Sequence, residues 1–197
     1  MKRMSLRLWF TAAQRRKLEI LIYMLLLAIG CILGTFFVMK YEDSSICKFC
    51  ITYGMAGDSA DGSDVFLYSI MRNGGLWILT LFLGFCAVGQ PFLLAVLTIH
   101  SFVSGCCLAK MSKELIVSAL PLYILTAVYT IMVSFILLLA VREAMRFSCA
   151  SLGVYVSETD TLDMGKRLKF YLIRFSVLLF MILTASGIYA LFCDVLQ

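Results

Sequence analysis

Residues 74–110 read GGLWILTLFLGFCAVGQPFLLAVLTIHSFVSGCCLAK, with no charged side chain before Lys110 and with Gly89-Gln90-Pro91 near the middle. Whether this stretch crosses a bilayer once or twice decides the fold. A helix rises about 1.5 Å per residue, so roughly 35 residues form a rod of about 52 Å, against a hydrocarbon core of about 30 Å. One straight span is too long. Pro91 has no amide hydrogen and clashes with the carbonyl four residues back, and Gly89 loosens the chain beside it. Gly89-Gln90-Pro91 therefore reads as a helix break or tight turn. The two halves, 75–88 and 91–109, are apolar all round, so periodicity does not choose between one crossing and two.

Charge does. The 197 residues are 62% hydrophobic and 15% charged, far from the soluble average of about 45–50% apolar and 25% charged. The charges are also clustered. Residues 18–39 hold one, Glu19; residues 115–141 hold none; residues 170–193 hold only Arg174. Residues 1–17 carry Lys2, Arg3, Arg7, Arg15, Arg16 and Lys17 and no acid, interleaved with Leu6, Leu8, Trp9 and Phe10. Such a basic amphipathic segment suits an anionic inner leaflet, or serves only to set orientation. Residues 40–73 carry Glu42, Asp43, Asp58, Asp61 and Asp64 against Lys40, Lys48 and Arg72, whereas 142–169 carries Arg142, Arg146, Lys166, Arg167 and Lys169. Two crossings within 74–110 put that last, basic stretch inside, as the positive-inside rule favours.

The expectation is an all-α, polytopic integral membrane helix bundle of about five transmembrane helices, a single membrane domain over 1–197. Its N-terminus is in and its C-terminus out, with an external loop at 40–73 and a cytoplasmic loop at 142–169. The short loop 110–114, with two lysines, then faces out against the rule. The first span reads as uncleaved, because its apolar run of about 20 residues exceeds a signal-peptide core and Lys40-Tyr41-Glu42-Asp43 stands where a small-residue cleavage site would be.

Lipid gives apolar helices no hydrophobic reason to associate, so close contact between small residues matters. The first span carries Gly30-x-x-x-Gly34 and the third Ser101-x-x-x-Gly105; they serve packing within the chain or, on the sharper reading, a homodimer. The single histidine, His100, has no carboxylate near it in sequence and reads as a neutral interhelical hydrogen-bonding group, with Ser101, Ser104, Gln90 or Thr98 as its partner. Arg174 snorkels to the inner end. Of the eight cysteines, Cys47-Lys-Phe-Cys50 is a C-x-x-C in the predicted external loop. It reads as a disulfide or thiol pair, with metal binding, partner attachment and oxidoreductase chemistry as the other uses of that spacing. The remaining cysteines in spans act as small apolar residues. No H-E-x-x-H, nucleophile elbow, P-loop or dinucleotide fingerprint occurs, so the chain reads as no enzyme, with no cofactor and no nucleic acid partner.

In the external stretch, 41–62 is rich in Gly, Ser and acids and reads as unstructured. Residues 63–71 read as a short helix on the membrane surface, capped by Ser63, with Asp64 at its positive end and Phe66 and Ile70 on one face. Phe66 and Ile70, with Trp77 just beyond, are candidate partner contacts; anchoring of the loop is the plainer use.

Arg72-Asn73-Gly74-Gly75-Leu76-Trp77-Ile78, Leu83-Gly84-Phe85, Gly89-Gln90-Pro91, the late glycine Gly105 and Leu120-Pro121 together resemble the bacterial stage II sporulation protein M family. The likeness covers about 74–141 by these residues and the rest by layout. Two departures are plain: Ile99-His100-Ser101 replaces a glycine that the family places early in its third helix, and Cys47-x-x-Cys50 is no family hallmark. The resemblance implies a noncatalytic scaffold in the bacterial cytoplasmic membrane. In endospore engulfment such a scaffold holds peptidoglycan hydrolases, an amidase/endopeptidase and a lytic transglycosylase, at the septum. The competing expectation is a small channel or transporter with a midplane site near Gln90 and His100.

Overall fold

The computed structural model describes residues 12–41, 44–54, 62–86, 88–113, 120–157 and 161–196. The basic segment up to residue 11, the stretches 55–61 and 114–119, the link 158–160 and positions 42–43, 87 and 197 lie outside the described residues. The described chain is an all-α bundle without strands: α1 (Ala12–Lys40), α2 (Ser45–Gly54), α3 (Gly62–Phe85), α4 (Gln90–Lys113), α5 (Leu120–Ser157) and α6 (Thr161–Leu196). All but α2 are long and apolar enough to cross a membrane. The chain is a multi-pass membrane protein.

The stretch 74–110 is two helices. α3 closes at Phe85 with a tightened last bond from the Cys86 amide to the Leu83 carbonyl. The Gly89 amide then donates to Cys86, and the Gly89 carbonyl accepts from Leu93 to open α4. Pro91 falls in the first turn of α4, where an amide has no intrahelical acceptor and its loss is harmless. The turn itself depends on Gly89, because a Cβ there would stand 2.1 Å from the Leu83 carbonyl oxygen.

Three sequence expectations change. Residues 63–71 are no separate surface helix; they are the opening turns of α3, which runs unbroken through Arg72 and Asn73 to Phe85. The stretch 40–73, expected to be an external loop, is thus largely helical among its described residues, with α2 in its first half, where no fixed structure was expected. The stretch 142–169 is likewise mostly helix: α5 continues to Ser157 and α6 already starts at Thr161. At 38 and 36 residues these two helices reach about 54–57 Å, well past a core of about 30 Å. A helix begun in lipid propagates by adding one hydrogen bond per residue, and polar side chains past the membrane edge do not stop it.

Contacts set the directions. α1 and α4 are parallel, with Gly30 against Ser101 and Gly34 against Phe102 and Cys106. α3 and α5 are also parallel, since Asn73, midway along α3, meets Tyr129, and Phe85, at its last turn, meets Phe147 further along α5. α6 runs against both, its Tyr171 bonded to Leu81 and its Ala190 and Cys193 packed with Val65. Five alternating spans account for all of these. The lipid-facing side of α1 carries Leu18, Leu21, Leu25, Ile32 and Phe36, while its inward side carries Tyr23, Gly30, Gly34 and Val38. Size, not polarity, selects the packed face. An aromatic core of Trp77, Phe85, Phe147, Tyr171 and Phe175 joins α3, α5 and α6.

Candidate functional site

Polar groups inside a membrane bundle are rare and costly, so they are the first candidates for function. Asn73, 4% exposed on α3, donates from Nδ2 to Tyr129 Oη at 2.7 Å. Tyr129 Oη lies 3.1 Å from Ser186 Oγ on α6. Beside them Thr126 Oγ1 and Tyr189 Oη are 3.2 Å apart, and the rings of Tyr129 and Tyr189 stack at 4.2 Å. Three helices are thereby stitched together by one polar seam. Interhelical hydrogen bonds of this kind average about 0.6 kcal/mol each, so the seam fixes register more than it supplies stability.

His100 lies on α4, buried, with Nε2 3.2 Å from Ser134 Oγ on α5. The bond is interhelical as expected, but its partner is none of the four residues proposed from sequence; Ser104 Oγ instead donates to the His100 carbonyl. Nδ1 has no partner among the described residues, which assigns the proton to Nε2, because a bare lone pair is cheaper to bury than an orphan N–H. Arg72, assigned from sequence to the external loop, sits within α3. Its guanidinium lies 5.9 Å from the Tyr53 ring of α2 and within electrostatic range of Tyr68, His100 and Cys107.

α2 lies across α4 at the same end of the bundle and has three faces. Cys47, Cys50 and Ile51 pack on Val38, Val103, Cys106 and Cys107. Ile46, Phe49 and Tyr53 form an exposed apolar stripe, and Ser45, Lys48 and Thr52 an exposed polar one. A short helix with that division suits the membrane–water boundary. Tyr68 Oη holds it to α3 by donating to the Thr52 carbonyl at 2.6 Å. Cys47 and Cys50 are free thiols.

At the opposite end, Glu143 of α5 bonds to Arg174 of α6 and lies 3.5 Å from Arg146, which in turn reaches Glu19 of α1 at 4.0 Å. Arg174, expected to snorkel, thus ends on a carboxylate of the neighbouring helix. Gln90 belongs to this end too, its Nε2 3.2 Å from Cys149 Sγ, while Ser148 Oγ donates to the Cys86 carbonyl. Ten residues of helix, about 15 Å, separate Gln90 from His100, so the two build no common midplane site.

Gly30, Gly34, Ser101 and Gly105 meet one another: a Cβ on Gly30 would overlap Ser101 Oγ, one on Gly34 would stand 2.1 Å from the Phe102 carbonyl oxygen, and one on Gly105 2.3 Å from that of Cys31. Both small-residue motifs are consumed by this single α1–α4 contact. Trp77 is unsuited as a partner contact, being 9% exposed with its ring 5.4 Å from that of Phe175. Phe66 rests against α6, 3.7 Å from where a Gly187 Cβ would be, and Ile70 is half-buried. Sequence reasoning missed the Asn73–Tyr129–Ser186 seam, the Glu143 cluster and the packing of Cys47 and Cys50 in one cluster with Cys106 and Cys107. Only the two adjacent pairs, Arg72-Asn73 before an apolar run and Cys106-Cys107, signalled them.

A shallow groove of about 650 Å³ runs along the outward side of α6, past Lys169, Leu172, Ile173 and Phe180, away from the seam. Among the described residues no three His, Cys, Asp or Glu side chains are placed to hold one metal ion. Comparison of the chain with protein-family models, curated proteins and solved structures gives no match. The architecture defines a class: a five-span helical membrane bundle with an additional short helix across one end.

Proposed function

We propose that the chain is a noncatalytic membrane scaffold like those of the stage II sporulation protein M family. It lies in a bacterial cytoplasmic membrane with its N-terminus inside and its C-terminus outside, and it recruits and localises peptidoglycan hydrolases, an amidase/endopeptidase and a lytic transglycosylase, during endospore engulfment. The observation that most supports this reading is how the bundle uses its polar groups. Asn73, Tyr129, Ser186, Thr126 and Tyr189 bond to one another across helices and make a rigid platform, and α2, with Lys48 and the stripe Ile46, Phe49 and Tyr53 exposed, lies beside it, its Tyr53 ring next to Arg72. The basic stretches 1–17 and 142–169 support the orientation through the positive-inside rule. The channel or transporter reading draws less support, since Gln90 and His100 stand at different depths of α4.

The test is purification from native membranes, identification of co-purifying proteins, and reconstitution into liposomes. Secreted wall hydrolases in the purified complex, with ion and solute flux at the level of empty liposomes, is the expected outcome. Flux without hydrolases would replace the scaffold with the transporter.

A further inference from the structure

The groove on the outward side of α6 has a charged end and an apolar wall. Lys169 lines it near its start, and Leu172, Ile173, Ser176, Val177 and Phe180 continue it along the helix. Residues three, four and seven apart share a helix face, which keeps this set on one side. Leu172, Ile173, Val177 and Phe180 are exposed. The one hydroxyl among them, Ser176 Oγ, donates to the Leu172 carbonyl at 3.0 Å, so it is spent on its own helix and the wall stays apolar. At the charged end Gly165 has nothing within 4 Å of an added Cβ, which leaves that end open. Lys166, three residues before Lys169, is exposed beside it. Neither lysine has an ion pair among the described residues, whereas Arg174 of the same helix is held by Glu143. Like charges at this spacing repel, so an anion between them is favoured from both sides.

Depth decides what kind of anion. Residues 170–193 carry no charge but Arg174, so Lys166 and Lys169 stand at the membrane–water boundary and the groove runs inward from them. The rise from Lys169 to Phe180 is about 16 Å, half of a hydrocarbon core of about 30 Å. A free phosphate would use only the charged end of this groove and a neutral lipid only the apolar wall. We propose that the groove binds one phospholipid with an anionic headgroup. Its phosphate lies between Lys166 and Lys169, which act on it as point charges. One acyl chain lies along Leu172, Ile173, Val177 and Phe180 through a single leaflet. A lipid held at both ends in this way fixes the depth of α6 in the bilayer, and with it the level of the α6 side chains that meet α3 and α5.

Which leaflet supplies the lipid rests on the N-inside orientation proposed above; the site does not, and a measurement in micelles is blind to orientation. The full chain in a neutral detergent is titrated with dioleoylphosphatidylglycerol, with dioleoylphosphatidylcholine, which has the same chains on a zwitterionic headgroup, and with glycerol 3-phosphate. Native mass spectrometry counts what is bound. The expected result is one phosphatidylglycerol per chain, retained where phosphatidylcholine and glycerol 3-phosphate are lost. Lys166→Gln and Lys169→Gln each weaken its binding about fivefold at low salt. Lys48→Gln, which removes the same charge from α2 at the other end of the bundle, leaves it unchanged. Ser176→Trp fills the groove at constant charge and also weakens it. All these side chains are exposed, so the thermal midpoint without lipid is expected to stay at the parent value, which separates lost binding from lost fold. Equal retention of the two phospholipids, equal losses in Lys48→Gln and Lys169→Gln, or full binding by Ser176→Trp overturns the proposal. Glycerol 3-phosphate bound as tightly as the lipid overturns it in favour of a simple anion site.

Discussion

Gly34 of α1 and Phe102 of α4 touch backbone to backbone: a Cβ added at Gly34 would stand 2.1 Å from the Phe102 carbonyl oxygen and 3.1 Å from the Cys106 amide nitrogen. Neither atom is the end of a flexible side chain, so a larger residue parts the helices. Gly34→Val is expected to lower the thermal midpoint in detergent, at a cost of about 1–3 kcal/mol. Gly75 has nothing within 4 Å of its added Cβ, so Gly75→Ala is expected to be neutral or to stabilise by up to about 1 kcal/mol through helix propensity. Equal effects of the two would contradict the α1–α4 contact.

The connection between α3 and α4 makes unequal demands on its residues. Gly89→Ala drives a methyl toward the Leu83 carbonyl and is expected to destabilise more than Pro91→Ala, whose amide would lie in the first turn of α4 without an intrahelical acceptor. Thermal unfolding of the two variants side by side decides the order.

Tyr129 accepts from Asn73 and meets Ser186. Tyr129→Phe removes both bonds and leaves the ring stack on Tyr189 in place. The expected loss is about 0.6–1.7 kcal/mol, read from unfolding in detergent. A double-mutant cycle with Asn73→Leu should show coupling, and strict additivity would mean that the seam carries no shared energy.

Glu143, with a side chain 19% exposed, lies between Arg146 and Arg174. Glu143→Gln leaves two guanidinium groups facing each other and is expected to cost about 1–3 kcal/mol at low ionic strength, less as salt rises. A penalty that is insensitive to salt would assign the loss to packing.

Sidedness is read with an impermeant thiol reagent in a background stripped of native cysteines. Asp58→Cys and Ser112→Cys are expected to label from outside, and Glu158→Cys only after permeabilisation. Labelling at 158 in intact cells would reverse the orientation proposed for the whole bundle.

The number of spans, the turn at Gly89-Gln90-Pro91 and the helical class were legible in the sequence because each is a local property. Bilayer thickness sets how long an apolar run must be, and a glycine beside a proline interrupts a ladder whatever surrounds it. Tertiary structure alone decided which faces meet. Helices apolar on every side carry no polarity signal for their partners, so nothing local paired Gly30 with Ser101 or the C-x-x-C of α2 with Cys106. The same reason explains Arg72 and Asn73. By local hydropathy they end a membrane segment, yet α3 carries them through its middle, because the Tyr53 ring and the Tyr129 hydroxyl, distant in sequence, meet them there.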